Sequence, residues 1–187
     1  MKFHATPLAD LIVIETMPIA DGRGQFSRVF CAAECSVLRP DLHWVQINVS
    51  RTYHKGTVRG MHFQYPPAAE VKLIRCLRGR VFDVAVDLRA DSSTFLRWHG
   101  IELDADGATQ FFIPEGFAHG FQALTDDAQL LYLHSAAWNR EKEGGLRHDD
   151  PALAIGWPLP VARISDRDRD LPLAQESRFE GINQIGR

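Results

Sequence analysis

The chain has 187 residues, with 21 Lys and Arg against 24 Asp and Glu, and a formal net charge of −3. That balance gives no basic surface for nucleic acid or an anionic membrane, and no run approaches the roughly 20 apolar residues of a membrane span. Hydrophobic residues make up 45% of the chain, enough for one core. The length suits a single domain over residues 1–187. Cys31, Cys35 and Cys76 are odd in number and form no CxxC. They fit a reduced compartment better than a disulfide framework, and the N-terminus, MKFHATPLADLIVIE, does not read as a secretion signal. The expectation is a cytoplasmic protein.

Leu11–Ile14 reads as a short strand, 20–24 as a turn and Gln25–Phe30 as a returning strand. Cys31–Leu38 is the only helix-like segment of the first half, and Pro40 marks its end. Val45–Ser50 alternates strictly, with Val45, Ile47 and Val49 on one face and Gln46, Asn48 and Ser50 on the other. Lys72–Leu77 and Val81–Leu88 flank Arg78-Gly79-Arg80 and read as a hairpin. In the second of these, Phe82, Val84, Val86 and Leu88 share a face opposite Asp83 and Asp87. Trp98–Leu103, Gln110–Ile113 and Gln129–Trp138 follow, separated by turns. Many short strands at regular spacing predict an all-β jelly roll with a few short helices. From about Asn139 a polar tail is expected to wrap the barrel.

Two segments carry the chemistry: QINVSRTYHKGTVRGMHFQ at 46–64 and PEGFAHGF at 114–121. Strand alternation puts His62 and Gln64 on one side, Met61 and Phe63 on the other. An imidazole on the wet face of a pocket can act as a general base near neutral pH. Lys72 can aim a cation at a developing oxyanion, and Tyr132 can donate a proton because its phenol is protonated at pH 7. Taken singly, each has an ordinary reading: a structural histidine, an edge lysine, a core tyrosine.

PEGFAH fits the PxGxxH element of the cupins, many of which hold a metal through an earlier His-x-His. Here that place reads His62-Phe63-Gln64, so one imidazole is missing and no metal site is expected.

Together the segments resemble the dTDP-4-dehydrorhamnose 3,5-epimerase family, a metal-free branch of the cupins. The motifs are DGRGQF at 21–26, QINVS with GTVRGMHFQ, KLIRCLRG at 72–79, the Phe82–Leu88 strand and IPEGFAHGFQAL. HDDPALAIGWPL and the ISDRD segment at 164–168 complete them. The resemblance implies a nucleotide-linked 4-keto-6-deoxy sugar as substrate, with no cofactor. Protons at C3 and C5 lie next to the C4 ketone, so a base removes one, an enolate forms, and reprotonation from the other face inverts the centre.

By resemblance, His62 is the base, Asp168 its orienting carboxylate, Lys72 the holder of the O4 oxyanion and Tyr132 the proton donor. Arg23, Arg59 and His119 match positions that contact the diphosphate and sugar. Gln46 and Asn48 match polar positions of the same cavity, and Glu143 and Arg167 match further binding positions. Two residues depart from the family. Arg28 stands where a glutamate helps read the nucleotide, and Trp138 replaces a tyrosine or phenylalanine near the base. Family members are homodimers whose N-terminal strands cross to the partner, which implies that Arg23 serves the neighbouring site.

Other readings stay open on sequence alone. One is an epimerase acting at C3 or C5 only, or on a CDP- or GDP-sugar. Another is a metal-dependent oxygenase, which the missing second imidazole opposes. A third is a non-catalytic sugar-nucleotide binder, which the joint presence of His62, Lys72, Tyr132 and Asp168 opposes.

Overall fold

A computed structural model describes residues 1–183. The chain runs through β1 (Lys2–Ala5), β2 (Ile12–Glu15), β3 (Ile19–Asp21), β4 (Gly24–Phe26), α1 (Ala32–Cys35), β5 (Gln46–Thr52), β6 (Val58–Gln64) and β7 (Lys72–Arg78). It continues with β8 (Arg80–Asp87), β9 (Trp98–Asp104), β10 (Thr109–Ile113), β11 (Phe117–Ala123), β12 (Ala128–His134), β13 (Glu143–Gly145) and α2 (Asp166–Arg169). Two antiparallel sheets result. One has the order β1-β2-β10-β7-β12-β5, the other β13-β6-β11-β8-β9. Among the described residues, the strands β3 and β4 pair only with each other. This is the cupin-type jelly roll.

Three apolar layers explain the alternation along the strands. Between the sheets, Ile74, Cys76, Phe111, Ile113 and Leu130 of the first meet Val81, Ala85, Leu103, Phe117 and Phe121 of the second. The outer face of the second sheet carries Met61, Phe63, Val84, Val86 and Ala118, and Leu146, Leu153, Ala174 and Ile182 from the C-terminal tail cover it. The outer face of the first sheet carries Ile14, Leu73, Phe112 and Leu133 under Phe30, Leu38, Leu42 and Trp44. The tail therefore wraps the barrel as expected. Phe82, Val84 and Val86 face it, while Asp83 points into the barrel, fully buried.

Several elements differ from the sequence reading. The strands at 72–78 and 80–87 do not form a hairpin. β7 pairs with β10 and β12, whereas β8 pairs with β11 and β9 in the opposite sheet. Gly79, at φ +69°, lets the chain step from one sheet to the other. The return strand expected to reach Phe30 stops at Phe26, and the helix shrinks to Ala32–Cys35. β12 ends at His134, because the segment after it leaves the sheet to pack over Gln64. β1, β11 and β13 were not anticipated.

Candidate active site

The two sheets splay at one end around a cavity of about 360 Å³. β6 brings Arg59, His62 and Gln64 to it, β11 brings His119 and Phe121, and the edge of α2 adds Ser165, Arg167 and Asp168. From the facing sheet come Asn48 and Ser50 of β5, Lys72 of β7, and Tyr132 and His134 of β12. Trp138 and Glu143 line the rim.

His62 and His119 are direct register partners across β6 and β11. The two strands come unusually close there. A Cβ on Gly60 would lie 2.5 Å from Gly120 Cα and 2.9 Å from the His119 carbonyl oxygen, and Gly60 sits at φ +124°. Only glycine fits that backbone.

Each of these histidines leans on a carboxylate. His62 Nε2 lies 2.8 Å from Asp168 Oδ1. Asp168 is fixed in turn by the Gly60 N–H at 3.2 Å and by α2, whose first turn Ser165 caps by accepting the Asp168 N–H at 3.1 Å. Burial pushes the Asp168 pKa up, but the His62 hydrogen bond and charge outweigh it and leave the net shift downward. His119 Nε2 lies 2.9 and 3.0 Å from the two oxygens of Asp83. There burial wins, and the Asp83 pKa is raised despite His119.

Lys72 is buried, with Nζ 3.2 Å from Glu70 Oε1 and 3.4 Å from the His62 carbonyl oxygen. Tyr132 OH sits 3.0 Å from Ser50 Oγ. Burial raises the phenol pKa, so the hydroxyl keeps its proton at neutral pH. His62 and Tyr132 thus reach the cavity from opposite sheets.

The remaining sequence candidates divide. Asn48, Arg59, His119, Trp138, Glu143 and Arg167 line the cavity, and Glu143 Oε1 pairs with Arg167 Nη2 at 2.6 Å. Gln46 is spent nearby: its Oε1 accepts the Trp138 N–H at 3.1 Å. Gln64 is also committed, donating to the Ala68 carbonyl and accepting from the Asn139 N–H. Among the described residues no three His, Cys, Asp or Glu side chains group as a ligand set. Arg23 and Arg28 stand outside the cavity of their own chain. Arg23 is 91% exposed at the β3–β4 tip and bonded to Asp21, and Arg28 Nη1 bonds Glu34 Oε1 at 2.5 Å.

Sequence reasoning missed Asp83, Glu70, His134 and Ser165 as site residues. Asp83 had a signal, an acid inside the apolar run RVFDVAVD.

The family described as dTDP-4-dehydrorhamnose 3,5-epimerase matches residues 5–176, which is nearly the whole described chain. The chain belongs to this family. A dTDP-4-dehydrorhamnose 3,5-epimerase of Sinorhizobium fredii is 40% identical over 173 residues, covering 92% of this chain and 89% of that one. A dTDP-4-dehydrorhamnose 3-epimerase of Streptomyces niveus is 41% identical over 141 residues, 75% of this chain and 68% of its own. A dTDP-6-deoxy-D-glucose-3,5-epimerase of Legionella pneumophila, solved in complex with dTDP-4-keto-L-rhamnose, superposes with a TM-score of 0.90 at 36% identity. That match covers 98% of this chain and 99% of the other. The jelly roll is therefore the fold of an epimerase family.

Proposed function

We propose that this protein epimerises C3 and C5 of a dTDP-linked 4-keto-6-deoxy sugar by proton abstraction beside the C4 ketone. The observation that carries the reading is the placement of an imidazole–carboxylate pair and a protonated phenol on opposite walls of one cavity, with an ammonium group beside them. Inversion needs that arrangement, since the proton must leave one face of the carbon and return to the other.

His62 takes the proton and Asp168 orients it. Lys72 stabilises the enolate oxygen, where charge develops only after abstraction. Tyr132 returns a proton from the facing sheet and is restored through Ser50 or solvent. Arg59 and Asn48 meet the diphosphate and sugar near the cavity mouth, His119 the sugar at its floor, and Trp138 stacks on the base. Glu143 and Arg167 close the rim. The sugar's own ketone is the electron sink.

The chain works as one domain and as a homodimer. Among the described residues the β3–β4 hairpin pairs with no other strand, and it exposes Ile19 and Phe26. Among the described residues β5 is a free sheet edge that exposes Ile47 and Val49, with Val45 exposed just before it. An exposed apolar edge of this kind invites pairing. A crossing hairpin would carry Arg23 to the neighbour's cavity mouth.

The deciding experiment incubates the protein with dTDP-4-keto-6-deoxyglucose in D₂O and follows the sugar protons by NMR. Loss of both the C3 and C5 signals is expected. Exchange at C3 alone would place the protein with 3-epimerases such as the Streptomyces niveus relative. No exchange at either carbon would overturn the reading.

A further inference from the structure

A third imidazole–carboxylate pair faces the cavity, and the reaction above leaves it without a role. Glu70 lies just before β7, with its side chain 9% exposed. Its Oε2 is 2.7 Å from His134 Nδ1, and its Oε1 is 3.2 Å from Lys72 Nζ. Lys72 and His134 are direct register partners on β7 and β12, so one carboxylate ties together two neighbouring side chains of the same wall. The other polar contact of Lys72 among the described residues is the His62 carbonyl oxygen, at 3.4 Å.

Burial works against a charge on Glu70, but the hydrogen bond from His134 and the charge of Lys72 outweigh it, and its pKa is lowered. An ionised carboxylate only accepts, so Nδ1 of His134 carries the proton. Its Nε2 has no partner among the described residues, and the ring lines the cavity. The His134 ring is held flat against Tyr132, at 5.9 Å between centroids and 14° between planes.

We propose that Glu70 is the positioning residue of this wall: it aims the Lys72 ammonium at the ketone oxygen and orients His134 so that Nε2 accepts a hydrogen bond from a hydroxyl of the sugar ring. This rests on the keto-sugar reading above. A lysine has a long, freely rotating stem, and an unanchored ammonium samples many places. The oxyanion exists only along the reaction, so loss of the anchor acts on turnover more than on substrate binding. The His134 contact is made to the bound ground state, so its loss acts on KM.

The test uses Glu70→Gln, His134→Ala and the double variant in the intact protein. Glu70→Gln keeps the shape and removes the charge. It is expected to lower kcat about 10- to 100-fold, the scale of a misplaced catalytic group, and to raise KM to about the extent that His134→Ala does, because His134 loses its anchor. His134→Ala is expected to raise KM with a smaller effect on kcat. Because the two residues act as a unit, the double variant should lose less than the product of the single losses. A kcat for Glu70→Gln within about twofold of wild type, or multiplicative losses in the double variant, would overturn the proposal.

Imidazole ¹⁵N NMR on the unmutated protein supplies a readout that needs neither turnover nor a folded variant. The Nδ1–H tautomer is expected for His134, and the Nε2–H tautomer would overturn the proposal. A wild type that turns over no keto sugar would defeat the functional reading, while the tautomer would still report whether Glu70 orients His134.

Discussion

An ionised Asp168 accepts hydrogen bonds and donates none, so His62 Nε2, 2.8 Å away, carries the proton and Nδ1 is the ring nitrogen left to meet the substrate. His62→Ala removes the base. Asp168→Asn keeps a partner of the same size but no longer holds the positive imidazolium. Both are expected to cut turnover about 10²–10⁴-fold, the usual contribution of a general base, while dTDP affinity by calorimetry stays within a few-fold. Near-normal turnover of His62→Ala would remove His62 from the mechanism, and near-normal turnover of Asp168→Asn would remove Asp168 as its partner. Tyr132→Phe separates the two half-reactions, because abstraction precedes reprotonation. Deuterium exchange from the His62 face is expected to survive better than net inversion, and equal losses in both assays would assign Tyr132 a structural role only. That His62, Lys72 and Asp168 share one cavity was legible in sequence because each sits in a family-like motif, whereas Tyr132 showed only the parity of its strand. Glu70 and Asp83 were not legible, since a lone acid in a loop or an apolar strand carries no spacing signature, and only the fold shows what it faces.

At the scale of elements, the site depends on how closely β6 and β11 approach. Gly60→Ala would press its methyl into Gly120 Cα and the His119 carbonyl at a φ that disfavours side chains. It is expected to cost about 3 kcal/mol in urea unfolding, combining overpacking with the backbone penalty, and to displace His62 two residues on. Activity lost without loss of stability would contradict that account. β5 and β6 were readable because one side of each faces the wet cavity, which keeps the polar alternation. β11 was not: all seven of its residues are buried, so its pattern carries no alternation. The turn Arg78-Gly79-Arg80 looks the same in sequence whether its strands pair or part into opposite sheets. The loop after β8 has a different anchor. Asp87, fully buried, accepts from Arg89 Nε and Nη2 at 2.9 and 2.8 Å, and from Ser92 and Thr94 hydroxyls at 2.6 and 2.7 Å. Burial raises its pKa, but these partners outweigh it and carry it below the ordinary 3.8. A depressed carboxylate stabilises the fold fully above 3.8 and loses that contribution as pH falls through its lower native value. Thermal stability is expected to drop below that pH. Asp87→Asn should cost roughly 2–4 kcal/mol at neutral pH and flatten the acid drop; an unchanged acid limb would assign it to other carboxylates.

For the whole molecule, the unsettled geometry is where Arg23 works. It lies outside the cavity of its own chain, the family resemblance implies a diphosphate contact for it, and the hairpin beneath it leaves Ile19 and Phe26 72% and 71% exposed among the described residues. Sequence could place the motif but not say which protomer it serves, because that depends on packing between chains. An isologous pair would resolve the conflict: each hairpin would cover its neighbour's apolar surface and complete the neighbour's site. Ile47→Asp puts a charge on the exposed β5 face and is expected to give a monomer by sedimentation velocity, with activity lost in parallel. Complementation is the sharper test. Arg23→Ala and His62→Ala homodimers are each expected to be nearly inactive, since every site lacks one residue. In a fully exchanged mixture half the dimers carry one subunit of each kind, and in those the two defects fall on the same site and leave the other intact. About a quarter of the wild-type activity should return, as two-fold symmetry requires. A mixture no more active than the average of its parents would show that Arg23 serves its own chain or neither, and the crossing hairpin would be withdrawn.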